Sequence, residues 1–161
     1  MKKNQKGFSL IELLIVVAII LIIAAIAIPN LLRSRMAANQ ASAVGAVRTI
    51  VTSQITYNST YQAGFAPSLT DLGGAAGCTA SSTSACLIDP VLTSGFKSGY
   101  NFETAANGTN NVNFEVDAWP AANQGNDAYC SDQSGVIRYN TTGTQITDAA
   151  GACDAITTIL Q

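Results

Sequence analysis

The sequence contains no histidine and few charged residues. Histidine is the commonest general base and metal ligand in proteins, so its absence removes the side chain on which many active sites and metal centres depend. Charged residues make up 11% of the chain, less than half of the usual share of about 25% in soluble domains. It also lacks a glycine-rich phosphate loop, a nucleophile elbow and a Cys/His metal spacing. These absences predict a protein that is not an enzyme and uses neither cofactor nor metal.

Positive charge is concentrated at the start of the chain. Three of the eight cations, Lys2, Lys3 and Lys6, precede Gly7, which leaves five cations against ten acids in the remainder. Nucleic acid attracts proteins through clustered Lys and Arg side chains. The charge balance therefore predicts no nucleic-acid partner.

Two pairs of acids could in principle carry chemistry. Glu115 and Asp117 stand two residues apart, so on a strand both would point to the same face. We interpret them as a solvated strand face rather than an acid/base pair. Asp127 and Asp132 have glycines nearby, and we interpret them as turn residues rather than calcium ligands.

A long apolar run dominates the N-terminal region. Every residue from Leu13 to Ile28 is apolar, and the span from Phe8 to Ile28 is just long enough to cross a hydrocarbon core of about 30 Å as a helix. The lysine-rich start predicts that this end stays in the cytoplasm and that the remainder is exported.

Three interpretations of this run compete, and Glu12 separates them. The run could be a secretory signal cleaved near Ala25-Ile26-Ala27, or a permanent membrane anchor. Neither accounts for Glu12, because a carboxylate in a bilayer costs about 2.5–3.5 kcal/mol at the centre of a helix. In the third interpretation the chain is cut between Gly7 and Phe8, and the new amine lies near Glu12.

The segment Gly7-Phe8-Ser9-Leu10-Ile11-Glu12, followed by Leu13 to Pro29, resembles the N-terminus of type IV prepilins and pseudopilins. The resemblance is close to about Arg35 and looser beyond it. It implies that residues 1–7 are a leader, that a prepilin peptidase cuts after Gly7, and that Phe8 becomes N-methylated. It also implies that Glu12 pairs with the terminal amine of a neighbouring subunit.

The resemblance implies a structural subunit of a helical filament. Its partners would be further copies of the chain, the prepilin peptidase, the inner-membrane pilus assembly machinery and, before assembly, the lipid bilayer. The subunit would be stored in the inner membrane before assembly and would then be incorporated into a cell-surface filament. Such filaments serve motility, adhesion or DNA uptake. Two alternatives remain: a major pseudopilin of a type II secretion system, and a membrane-anchored monomeric binding module.

The predicted fold is α+β, with the type IV pilin arrangement of a long N-terminal helix packed on a small antiparallel sheet of three to four strands. Residues 8–29 would form the membrane or filament-core part of the helix. Pro29 would kink it, since proline removes a backbone hydrogen bond. Residues 30–61 would continue it as an amphipathic half, and 62–161 would form a β head. Helical spacing predicts one buried stripe, made of Val44, Val47, Val51 and Ile55.

The head is predicted to begin with loops and to continue as strands. Residues 64–99 are rich in Gly, Ser, Thr and Pro, which favours loops. Alternating patterns then begin at Tyr100 and at Val112, and Asn107-Gly108 between them is typical of a hairpin turn. Two further short strands are predicted at residues 128–131 and 136–140.

All four cysteines, Cys78, Cys86, Cys130 and Cys153, follow the apolar run. An even number in an exported region predicts two disulfides, with three possible pairings. Short-range closure favours Cys78 with Cys86 and Cys130 with Cys153, although the crossed pairings stay open. Type IV pilins resemble this arrangement in that a disulfide closes a C-terminal loop, whereas a second pair departs from their common pattern.

Overall fold

A computed structural model describes residues 8–75, 77–146 and 152–160. The chain divides into a first unit, Met1–Arg35, and a second unit, Met36–Gln161. The elements, in chain order, are α1 (Leu10–Tyr61), α2 (Leu69–Leu72), α3 (Pro90–Thr93), β1 (Phe96–Lys97), β2 (Tyr100–Asn107), β3 (Asn113–Pro120), β4 (Ala128–Asp132) and β5 (Arg138–Asn140). The α+β class predicted from the sequence is confirmed.

Within the first unit, α1 exposes its apolar side chains on every side. Leu13 is 57% exposed and Ile26 is 73% exposed, and their apolar neighbours along the helix are similar. Among the described residues, α1 is the helix that is long and apolar enough to cross a membrane. The helix continues through Pro29, so the bend at Pro29 stays a prediction. An apolar surface of this kind is stable only when lipid or other apolar helices cover it.

Within the second unit, one face of α1 is buried. Val47 and Val51 lie on this face as predicted and Val44 is half-buried, but Ile55 is 54% exposed, so its assignment was wrong. Gln54, one position earlier, is buried instead, because neighbouring helix positions differ in direction by about 100°. The buried residues of α1 are Ala43, Ala46, Val47, Ile50, Val51, Ser53, Gln54 and Tyr57.

The sheet is antiparallel throughout, in the order β1-β2-β3-β4-β5. The described residues thus contain five strands rather than three or four, because β1 is too short to show an alternating pattern. β2 pairs with β3 from Tyr100 opposite Pro120 to Asn107 opposite Asn113. Residues 108–112 therefore connect them, and Gly108 has a φ of +80°. The hairpin turn predicted at Asn107-Gly108 is confirmed, at the start of this connection. Phe102, Phe114 and Val116 share one hydrophobic core with the buried face of α1; we call this side of the sheet the helix face.

Gln54 is fully buried at the centre of this core. Its Nε2 donates to the carbonyl oxygen of Ala66 and to Oγ1 of Thr104, both at 3.0 Å. Its Oε1 accepts from the N–H of Ala66 at 2.8 Å, and Thr104 donates onward to the carbonyl of Glu115 at 2.8 Å. One amide side chain thereby joins α1, the loop that follows it, and the sheet.

We expect Gln54→Ala to lower the free energy of unfolding by about 3 kcal/mol, since it leaves the buried polar groups of Ala66 without partners and opens a cavity. Denaturant unfolding of the full chain in detergent measures this loss. The exposed Gln133→Ala is the control and should change stability by less than about 0.5 kcal/mol. Equal stability of the two variants would contradict the assigned role of Gln54.

Candidate functional site

The candidate site lies where α1 begins. Gly7, the predicted cleavage position, lies outside the described residues. Phe8 is 76% exposed, and α1 starts two residues later at Leu10. The backbone N–H of Leu13 donates to the carbonyl oxygen of Ser9 at 3.2 Å, which makes Ser9 the residue that caps the helix.

Glu12 closes the first turn of this helix. Its Oε2 accepts the backbone N–H of Ser9 at 2.9 Å, so Glu12 reaches back from the third helical position to the capping residue. This is one half of a capping box, and Ser-x-x-Glu is the sequence pattern that predicts it. Sequence analysis assigned Glu12 only to a neighbouring subunit and missed this local role. A carboxylate at this end is also favoured by the helix dipole.

The surroundings of Glu12 are apolar and uncovered. Leu10, Ile11, Leu13 and Leu14 are all more than half exposed. If further apolar helices covered this surface, water would leave the carboxylate. Attraction between the carboxylate and a cation then becomes stronger, but an unpaired carboxylate becomes costly. The site therefore provides a carboxylate that favours a cationic partner once it is enclosed.

The acids of the sheet do not form a second chemical site. Glu115 and Asp117 are only 6% and 5% exposed, so the prediction of a solvated strand face was wrong. These two side chains alternate with Phe114 and Val116 and lie on the outer face of the sheet, opposite the helix face. The backbone N–H of Cys153 donates to Oε1 of Glu115 at 3.2 Å. Within the described ranges, no group of three or more His, Cys, Asp or Glu side chains could hold a metal ion.

The C-terminal segment, of which Ile146 and residues 152–160 are described, covers this outer face. Ile146 and Cys153 are buried against Ala128 and Cys130, and Trp119 packs on the same cluster. The backbone N–H of Leu160 donates to the carbonyl of Ile137 at 2.9 Å, and that of Tyr139 donates to Thr158 at 3.0 Å. Sequence alone could not reveal this cover, because the segment is distant in the chain and lacks an alternating pattern.

The turn acids are held by local contacts. Asp132 accepts the N–H of Ser134 at 2.7 Å, as expected for a turn residue. Arg138 contacts Asp132 at 3.0 Å and Asp154 at 3.1 Å. Burial alone would raise the pKa of Asp132, but hydrogen bonds from Ser134 and the charge of Arg138 lower it. The hydrogen bond shared with Asp132 raises the pKa of the exposed Asp154. Asp127 instead lies beside α1, where its Oδ2 accepts from Nε2 of Gln40 at 3.1 Å.

The cysteines pair by short-range closure. Cys78 is bonded to Cys86, and Cys130 to Cys153. The second bond joins β4 to the C-terminal segment, and both of its cysteines are fully buried. It therefore holds the cover over the outer face of the sheet.

Two comparisons with known proteins found a match. Residues 2–28 match the family described as "Prokaryotic N-terminal methylation motif". The chain is also 68% identical over 37 residues to the Type IV wide pilus major component PilA4 of Thermus thermophilus. Over the matched residues the chain is therefore similar to a type IV pilus component.

The match to the Thermus protein spans only a part of either chain. It covers 23% of this chain and 28% of the Thermus protein. No solved structure matches the chain. The long helix and antiparallel sheet nevertheless agree with the α+β pilin fold.

Proposed function

We propose that the chain is a type IV pilin, a structural subunit that polymerises into an extracellular filament. The observation that carries this proposal is the apolar surface of α1 in the first unit, which is exposed on all sides and begins directly beside Glu12. Such a surface can be covered by lipid before assembly and by the same helices of other subunits afterwards.

Processing would create the partner of Glu12. Cleavage after Gly7 by a prepilin peptidase leaves an amine at Phe8, and N-methylation keeps that amine basic. The amine of a subunit already in the filament would then pair with Glu12 of the incoming subunit. Only one axial position brings the two charges together, so the pair sets the register while apolar contact supplies most of the cohesion.

The subunit is proposed to occupy two locations, one before and one after assembly. The lysine-rich leader would hold the precursor in the inner membrane, with the second unit on the far side. The membrane assembly machinery would then extract the subunit into the filament. The two disulfides support exposure of the second unit to an oxidising compartment, and the Cys130–Cys153 bond favours a pilin over a type II secretion pseudopilin.

Mass spectrometry of filaments sheared from the native cells tests the proposal. We expect this chain with an N-methylated Phe8 terminus. Gly7→Leu should leave unprocessed precursor in the inner membrane, because the added side chain blocks the peptidase. Lys3→Ala is the matched leader control and should still be cut.

Other outcomes would contradict the proposal in different ways. A chain cut at Phe8 but confined to the envelope would indicate a pseudopilin. A terminus near Ile28 would indicate an ordinary secretory signal, and uncut monomer in the membrane would indicate an anchored binding module.

A further inference from the structure

Charge is distributed unequally between the two units. Arg33 and Arg35 are exposed on α1, and the sequence contains no acid between Glu12 and Asp71. The second unit, in contrast, contains three cations and nine acids. Two copies of the chain therefore carry complementary charges, with cations on the first unit of one copy and acids on the second unit of the other.

Most of the described acids of the second unit are already engaged. Asp89 pairs with Lys97, Asp132 and Asp154 share Arg138, and Glu115 and Asp117 are buried. In the described part of the chain, Asp71 accepts only from the neutral Ser68, but it lies near Tyr57, far along α1 from Gln40. Among the described residues this leaves Glu103, which accepts an amide hydrogen from Gln145, and Asp127, which accepts one from Gln40. A neutral amide donor leaves the negative charge of each carboxylate uncompensated.

These two acids lie on different sides of the sheet. Glu103 alternates with the buried Phe102 and Thr104 and therefore lies on the outer face. Asp127 lies against α1 itself, since its side chain contacts Gln40. If the helices of neighbouring copies pack side by side, Asp127 is the acid that faces them.

The register set by Glu12 brings the opposite charges to one level. When Glu12 meets the Phe8 amine of a neighbour, the two helices are offset by four residues, or about 6 Å along the axis. Arg35 of the neighbour is then level with Asn39, which is adjacent to Gln40 and bonds to Gln124 at 2.9 Å. Arg33 of the neighbour lies about 3 Å closer to the N-terminal end of the helix than Arg35. Because helix positions two apart differ by about 200°, the pair presents a cation on two opposite sides of the helix.

We propose that Arg33 or Arg35 of one copy docks on Asp127 of the next copy in the filament. This inference rests on the proposed function and adds a second electrostatic contact to the one at Glu12. The partner is a second copy of this chain, and the contact forms only in the register that Glu12 selects. It therefore strengthens the discrimination against misplaced subunits.

The test measures the fraction of the full chain in sheared filaments relative to the membrane pool. We expect Asp127→Asn, and the double variant Arg33→Gln/Arg35→Gln, each to lower this fraction about fivefold, the size of one partly screened ion pair. The variant that combines all three substitutions should lower the filament fraction no more than Asp127→Asn alone or the double arginine variant alone. Asn retains an oxygen that accepts from Gln40, so the fold of the head is preserved, and a thermal melt checks this.

Matched controls and one rescue sharpen the result. Glu103→Gln and Arg48→Gln remove an exposed acid and an exposed cation elsewhere and should leave the fraction unchanged. Asp127→Arg should be rescued by Arg33→Asp/Arg35→Asp. The wild-type fraction should also fall with added salt, while that of the arginine double variant stays constant.

Four outcomes would overturn the inference. If Asp127→Asn behaves like Glu103→Gln while the arginine variant is impaired, the arginines act on lipid phosphates instead. If the combined variant lowers the filament fraction by the product of the two separate effects, the arginines and Asp127 act independently and do not contact each other. Absence of the wild-type chain from any filament would overturn the proposed function itself, whereas normal filaments with unaffected variants would overturn only the docking contact.

Discussion

Glu12→Gln is expected to be cut and methylated normally and to enter filaments at least about 100-fold less than wild type, because breaking an enclosed ion pair costs about 3–5 kcal/mol. Glutamine at the third helical position still accepts the N–H of Ser9, as a capping box allows. The variant therefore removes the charge while it preserves the start of α1. The measurement is the ratio of chain in sheared filaments to chain in the membrane.

Two companion variants separate the charge of Glu12 from its capping role. Glu12→Ala removes both and should assemble no better than Glu12→Gln. Ser9→Ala removes the hydroxyl of the capping residue but keeps the charge of Glu12 and the backbone N–H that it accepts, so it should assemble much as wild type does. Wild-type assembly of Glu12→Gln would show that the acid serves only its own helix, and the register argument would then be wrong.

Removal of the Cys130–Cys153 bond is expected to have the largest effect on stability. The cysteines are 23 residues apart, and the chain-entropy model assigns about 3.5 kcal/mol to a loop of this length. The loss should be larger still, because a released C-terminal segment would uncover Glu115 and Asp117. We expect Cys130→Ala/Cys153→Ala to unfold at lower denaturant and to lose hydrogen-exchange protection in residues 152–160.

Cys78→Ala/Cys86→Ala is the matched comparison. Its cysteines are 8 residues apart, so the same model assigns about 2.5 kcal/mol, and its removal should leave residues 152–160 protected. Equal losses of stability and protection in the two variants would contradict a specific role of the Cys130–Cys153 bond in holding the cover.

The alkaline stability of the second unit follows from two buried phenols. Burial raises the pKa of Tyr129 to about 12 and also raises that of Tyr100. Since both folded-state values are raised, the stabilisation from the neutral phenols is complete below the unfolded pKa near 10 and is lost as the pH rises toward the folded value. Melting temperatures between pH 9 and pH 12 should fall, and less so for Tyr129→Phe.

The sequence by itself determined the features that depend on neighbouring residues. The apolar run predicted the exposed helix of the first unit, and alternation predicted β2 and β3. The pattern from Gly7 to Glu12 predicted the type IV pilin likeness. Helices and alternating strands have short repeats, and processing motifs are read over a few positions, so a single chain displays them directly.

Only the tertiary structure decided which of these surfaces are covered. Glu115 and Asp117 have the pattern of a solvated face, yet a segment more than thirty residues away in sequence buries them. From the sequence, Gln54 has the character of a polar residue on a helix surface. In the structure it is buried, and Ala66 and Thr104 are its hydrogen-bond partners in the core. Burial depends on which distant segment packs against a face, and local periodicity carries no information about that segment.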